Sequence, residues 1–96
     1  MSPEKQKKLN NLRKQLDKLD NSFIKLIKKR TNLVDKVLKL KDYKNQIIDK
    51  KRIKTILNKI KIKSVQNNID PRITNRIWKN MIWSYIDYEK RNFKKK

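Results

Sequence analysis

The first half of the chain carries apolar residues at steps that alternate between three and four. The series comprises leucines, one phenylalanine and one valine: Leu9, Leu12, Leu16, Leu19, Phe23, Leu26, Leu33, Val37 and Leu40. This is the heptad pattern of a helix that buries one narrow seam against a partner. The pattern predicts a single helix over residues 3–44, about 60 Å long at about 1.5 Å per residue.

A helix of that length is too long for a compact monomer of 96 residues. Without a covered apolar face, a helix is only marginally stable in water. The simplest partner along its whole length is a second copy of the chain. We therefore expect a homodimer.

The second half of the chain predicts two shorter helices. Asp49 is a good N-cap for a helix over 49–63, and Asp70-Pro71 places an N-cap and a first-turn proline before a helix over 71–93. Their apolar stripes are Ile53, Ile56, Leu57 and Ile60, and then Ile73, Ile77, Met81, Ile82, Tyr85 and Ile86. Residues 45–48 and 64–69 are expected to be turns, and the tail 94–96 to fray. We expect an all-α fold of three helices, in a single domain over 1–96.

Composition excludes several kinds of site. The chain has no Cys, no His and no Gly, which removes disulfides, the Ser-His-Asp triad, the usual zinc and haem ligands and glycine-rich phosphate loops. We expect no metal and no other cofactor. No apolar run reaches membrane-spanning length and the N-terminus lacks a signal-peptide pattern, so we expect a cytoplasmic protein without a membrane partner.

The net charge of +20 has two interpretations. One is a nucleic-acid or acidic-membrane partner. The other is codon bias, because 23 Lys, 13 Ile and 11 Asn stand beside no Ala and no Gly, which is the pattern of an A/T-rich genome. We favour codon bias and expect no specific nucleic-acid partner. Trp78 and Trp83 are expected to be packing residues, since their spacing does not indicate a base-stacking platform.

Arg30 interrupts the apolar seam between Leu26 and Leu33. A cation there must be paired, reach solvent or bind a ligand. Lys41 lies eleven residues on, on nearly the same helix face and about 16 Å along the axis, so both side chains could reach a small ligand between them. Arg13 points about 100° away, so it is either an exposed cation or, in an antiparallel dimer, a residue of the partner's pocket.

These segments resemble the all-helical (AroQ-class, type II) chorismate mutases. The stretch LNNLRKQLDKLDNSFIKLIKKRTNLVDKVLKLK resembles their first helix, Asp49 and Arg52 resemble the family's D...RE segment, and NIDPRITNRIWKNMIWSYIDYE resembles the third helix. The resemblance covers roughly residues 5–93. It implies that two three-helix chains interlock into a homodimer with two active sites.

The resemblance also implies a chemistry and a set of site residues. The substrate would be chorismate, a small dicarboxylate, rearranged to prephenate in aromatic amino acid biosynthesis without a nucleophile, metal or cofactor. Arginine forks would hold the carboxylates, and a lysine would stabilise the charge that develops on the ether oxygen. The implied catalytic residues are Lys41, Glu89 and Arg30, and the implied substrate-binding residues are Arg13 from the partner chain, Arg30, Lys41, Asp49, Arg52, Ile53, Tyr85 and Glu89.

Two departures leave the substrate open. Ile53 stands where the mutases usually have a glutamate that binds the ring hydroxyl, and the related isochorismate-pyruvate lyases are apolar there and resemble the chain at Tyr85. Glu89 stands where bacterial enzymes often have glutamine, although some fungal mutases have glutamate. A lyase that forms salicylate is therefore the alternative enzyme. A basic helical nucleic-acid-binding module and a structural coiled coil are the alternatives from other classes.

Overall fold

The computed structural model describes residues 1–94 and contains three helices. They are α1 (Pro3–Leu40), α2 (Lys50–Gln66) and α3 (Pro71–Asn92), with a 3-10 turn at Lys44–Gln46 between α1 and α2. No strand occurs among these residues, and the all-α prediction is confirmed. Lys95 and Lys96, in the tail that was predicted to fray, lie outside the described residues.

Helix α1 ends at Leu40 and not near residue 44 as predicted. The backbone N–H groups of Asp42 and Tyr43 donate to the side-chain oxygen of Gln46, at 2.8 and 2.9 Å, instead of to helical carbonyls. This turn places Ile47 in the core, where it is 3% exposed. Lys41 therefore lies just beyond the helix and not on it.

The two predicted N-caps of the shorter helices are confirmed. The Asp49 side chain accepts from the Arg52 N–H at 2.9 Å, and the Asp70 side chain accepts from the Arg72 N–H at 2.9 Å, with Pro71 following in the first turn of α3. These bonds satisfy N–H groups that a helix start leaves without a partner.

Helix α2 runs to Gln66, three residues past its predicted end. The reason is Ser64, which was expected to lie in a turn. Its buried hydroxyl donates to the Ile60 carbonyl at 2.6 Å, and it shares a hydrogen bond of 2.6 Å with the Thr74 hydroxyl of α3. The chain then reverses through Asn68, whose φ of 57° is in the left-handed region that asparagine tolerates.

The chain divides into two compact units, residues 1–33 and residues 34–96. The first is a helical segment of α1 whose seam residues Leu12, Leu19 and Phe23 are each more than half exposed. In the second, α2 packs on α3. Its core is a cluster of Leu38, Ile47, Ile82 and Ile86. The single-domain expectation stays a prediction.

No helix among the described residues is long and apolar enough to cross a membrane.

Candidate active site

An ion pair between Lys41 and Glu89 joins the end of α1 to the last turns of α3. The Lys41 Nζ atom donates to both carboxylate oxygens of Glu89, at 3.1 Å to Oε1 and 3.4 Å to Oε2. The lysine side chain is 19% exposed and the glutamate side chain 8% exposed. Because both charged groups are poorly hydrated, each stabilises the other, and removal of one would leave the other uncompensated.

Apolar packing sets the position of this ion pair. Leu38 precedes Lys41 by three residues and packs in the same buried cluster as Ile86, which precedes Glu89 by three. The Lys41 N–H also donates to the Leu38 carbonyl at 3.1 Å. The packing of this cluster therefore brings the two charged side chains together.

Tyr85, one turn before Glu89, is half-buried and lies against a second tyrosine. The rings of Tyr85 and Tyr88 meet edge to face, with centroids 6.3 Å apart and planes at 87°, which is a favourable aromatic geometry. The Tyr88 hydroxyl donates to Asp35 Oδ1 of α1 at 2.7 Å. This ring pair and hydrogen bond hold one side of Tyr85 in place.

The Asp35 carboxylate raises the pKa of the Tyr88 hydroxyl above its ordinary value. The main cause is the hydrogen bond, which favours the protonated phenol, and burial and the charge of Asp35 act in the same direction. The positive charge of Arg91 opposes them. Tyr88 is therefore a neutral donor over the physiological pH range.

Asp49 and Arg52 lie at the start of α2, where Asp49 is the N-cap. One oxygen of Asp49 is engaged by the Arg52 N–H. Both residues are exposed, and the Arg52 guanidinium forms no ion pair with a described residue. A guanidinium without an ion pair can donate two parallel hydrogen bonds to the carboxylate of a ligand.

Ile53 turns inward next to Arg52. It is half-buried and packs against the cluster formed by Leu38, Ile47, Ile82 and Ile86. An aliphatic side chain offers a ligand contact surface but neither a donor nor an acceptor. Ile53 therefore cannot form the hydrogen bond that a glutamate at this position could form.

The structure brings some of the predicted site residues together and leaves others apart. Lys41, Asp49, Arg52, Ile53, Tyr85 and Glu89 all belong to the unit of residues 34–96. Arg13 and Arg30 belong to the unit of residues 1–33, where Arg13 is exposed and Arg30 is half-buried with a buried Nε atom. A single site that unites both groups stays a prediction.

Sequence reasoning missed Asp35 and Tyr88. Asp35 stands between Arg30 and Lys41 in α1, and Tyr88 follows Tyr85 by three residues, which places the two tyrosines on one helix face. That i, i+3 spacing was the available signal for the ring pair. Nothing in the sequence indicated the hydrogen bond between residues 53 positions apart.

Comparison with protein families gives one result that bears on this site. A family model described as chorismate mutase type II matches residues 12–90. The matched segment contains every predicted site residue from Arg13 to Glu89. Neither the curated proteins nor the solved structures give a match.

Proposed function

We propose that this chain, which belongs to the type II chorismate mutase family, converts chorismate to prephenate in aromatic amino acid biosynthesis. The reaction breaks one ether C–O bond and forms one C–C bond in a single step, so no proton, electron or water is consumed. The observation that carries the proposal is the Lys41–Glu89 pair, a nearly buried ammonium and carboxyl 3.1 Å apart.

In this mechanism, Lys41 stabilises the transition state. As the ether bond breaks, negative charge grows on the departing oxygen, and an ammonium in a poorly hydrated site stabilises such charge far better than water does. The substrate oxygen would take up a hydrogen bond that Lys41 now donates to Glu89. Glu89 would remain beside it as the second group at this oxygen.

The arginines would hold the substrate in its reactive conformation. Chorismate has two carboxylates, and a guanidinium group bound to each would hold the enolpyruvyl arm folded over the ring. We assign this role to Arg30 and Arg52 of one chain and Arg13 of the partner chain. Asp49 and Tyr85 would complete the wall of the pocket.

A homodimer follows from this assignment and is supported by the exposed seam of α1. The seam residues Leu16, Leu19 and Phe23 are 57%, 59% and 60% exposed. An apolar stripe of this kind on a long helix is typical of a surface that another helix covers. The partner in this proposal is a second copy of the chain. The cytoplasmic location expected above stays a prediction.

An isochorismate-pyruvate lyase is the second candidate, and Ile53 is the observation that favours it. Its aliphatic side chain packs against the core and leaves no carboxylate for the ring hydroxyl of chorismate. Tyr85 stands on the same face as Glu89, as in the lyases that the third helix resembles.

One assay separates the two reactions. The purified protein is incubated with chorismate and, separately, with isochorismate, and the products are resolved by chromatography. We expect prephenate from chorismate. Salicylate and pyruvate from isochorismate, without prephenate from chorismate, would replace the mutase assignment by the lyase. Arg52→Lys is a useful companion variant, because it keeps the charge but loses the fork, and it should raise KM for the active substrate.

A further inference from the structure

A groove runs between α2 and α3 that the proposed reaction does not use. Two adjoining depressions share Leu57, Asn58 and Asn75 in their walls, so they form one continuous channel along the two helices. Of the predicted site residues, only Ile53 lines it. The groove is thus a different surface from the one that carries Lys41, Arg52 and Glu89.

The walls of this groove carry cations and, among the described residues, no carboxylate. The positively charged lining residues are Lys50, Lys54, Lys61, Arg72 and Lys79. The first three are spaced so that they share one face of α2. No lysine of this set forms an ion pair with a described residue, and Arg72 has only a distant one, at 4.0 Å from Asp70.

A uniform excess of lysine does not explain the positive charge of the groove, because the carboxylates are unevenly distributed along the chain. Residues 1–49 contain fourteen cations and six carboxylates, whereas residues 50–86 contain ten cations and one carboxylate, Asp70. The segment that builds the groove therefore has a single acidic residue, Asp70, against ten cations. A field of one sign in a concave surface attracts a ligand of the opposite sign.

Trp83 adds an aromatic surface to these cations. Trp83 lines the groove, and the residue is 54% exposed. The expectation that Trp83 is a packing residue is therefore wrong for this chain. The reason is that α3 buries the neighbouring Ile82 and turns Trp83 outward. The amides of Asn58 and Asn75 lie in the same channel and can both donate and accept hydrogen bonds.

We propose that this groove binds single-stranded nucleic acid. The lysines would bind phosphates, and one base would stack on the Trp83 indole. Stacking requires a base that is not paired in a duplex, which is why we propose a single strand. Lys50 and Lys61 are about 16 Å apart along α2, so the groove can contact several successive phosphates of one strand. Because the contacts are to phosphates and to a base face, binding is independent of base sequence.

The test compares two variants of equal charge. Lys54→Gln/Lys61→Gln/Lys79→Gln removes three groove cations, and Lys7→Gln/Lys14→Gln/Lys28→Gln removes three exposed cations of α1 opposite its apolar seam. Binding of a labelled thymidine oligomer of about 15 nucleotides is followed by anisotropy over a range of salt concentrations. We expect the groove variant to bind about tenfold more weakly, with a salt slope reduced by about 2, and the α1 variant to match the parent protein.

Trp83→Leu tests the stacking contact separately. It should weaken the oligomer about tenfold and leave the binding of inorganic polyphosphate unchanged. Melting curves and circular dichroism identify any variant that fails to fold. If Trp83→Leu fails to fold, tryptophan fluorescence of the parent protein provides the readout instead. The oligomer should quench the Trp83 fluorescence of the parent protein, and this quenching should be absent in Trp83→Phe.

Three results would overturn the proposal. Equal loss of binding in the two triple variants would mean that the affinity comes from net charge alone. Polyphosphate binding as tight as the oligomer, with no effect of Trp83→Leu, would make the groove a general anion surface. A changed oligomeric state in the groove variant, measured by sedimentation, would show that another copy of the chain occupies it.

Discussion

At the scale of single residues, the proposed chemistry depends on the hydrogen bond that the side chain at position 89 makes with the ether oxygen of the substrate. A carboxylic acid can donate a hydrogen bond to the ether oxygen, whereas a carboxylate can only accept one and repels the charge that grows there. Glu89→Gln replaces the carboxyl group by a neutral amide that can donate this hydrogen bond, so the variant should retain or raise turnover near about pH 7, as measured by initial rates.

Asp87→Asn is the matched control for Glu89→Gln. Asp87 lies on the same helix, and its carboxylate pairs with Arg91 Nε at 3.0 Å on an exposed surface. This variant should leave turnover unchanged. If Glu89→Gln were inactive although it folds, the carboxylate itself would be required at this position.

The hydrogen bond from Tyr88 to Asp35 makes stability depend on alkaline pH. Because the pKa of Tyr88 is raised in the folded chain, the folded state holds the phenolic proton more tightly than the unfolded state does. The resulting stabilisation is complete below the ordinary tyrosine pKa of about 10 and is lost as the pH rises through the higher folded value. Tyr88→Phe should therefore lower the free energy of unfolding at neutral pH and flatten its decline above about pH 10.

Urea unfolding at several pH values measures this difference between the parent protein and Tyr88→Phe. The control is Tyr43→Phe, since Tyr43 is 64% exposed. Loss of its hydroxyl should change neither the free energy of unfolding nor the decline of that free energy at alkaline pH. If the free energy of unfolding of Tyr88→Phe declined as steeply at alkaline pH as that of the parent protein, the hydrogen bond would contribute nothing to stability in solution.

At the scale of the helices, the sequence predicted starts better than ends. Asp49 and Asp70 act through bonds to N–H groups two or three residues away, and such local chemistry can be read from a short segment. The end of α1 depends on the Gln46 side chain and on burial of Ile47, and the end of α2 on the Ser64–Thr74 hydroxyl pair. Those contacts exist only once the helices pack.

The same division holds for the candidate site. The resemblance implied Lys41 and Glu89 individually, but their direct contact follows from the packing of the cluster that contains Leu38 and Ile86, which no spacing along the chain indicates. Asp35 and Tyr88 were missed for the same reason. Periodicity reports which face of a helix is apolar, and it does not report which residue of another helix lies opposite.

The seam of α1 provides a test of Arg30 as a functional residue. Arg30→Leu completes the apolar series between Leu26 and Leu33, so helicity and dimerisation should be preserved and thermal stability maintained or raised. Turnover should fall about 100-fold or more, because a carboxylate of the substrate loses its fork. Initial rates, circular dichroism and sedimentation measure the three properties.

Lys28→Leu is the corresponding control, because Lys28 is exposed on the side of α1 away from the seam. It should leave turnover unchanged. If Arg30→Leu raised stability and kept full turnover, Arg30 would be a structural residue, and the coiled-coil interpretation of α1 would gain support over the enzymatic one.

At the scale of the whole molecule, the proposed dimer should exchange one arginine between chains. If Arg13 completes the partner's site, Arg13→Ala and Arg30→Ala homodimers should both be nearly inactive. Unfolding the two variants together and refolding them should give heterodimers in half of the molecules. In each heterodimer one site receives Arg30 from one chain and Arg13 from the other, while both lesions fall in the second site. About a quarter of the parent activity should return. Each variant refolded alone is the control and should recover none. If the mixture also stayed inactive while sedimentation showed that heterodimers had formed, Arg13 would act within its own chain or outside the site altogether.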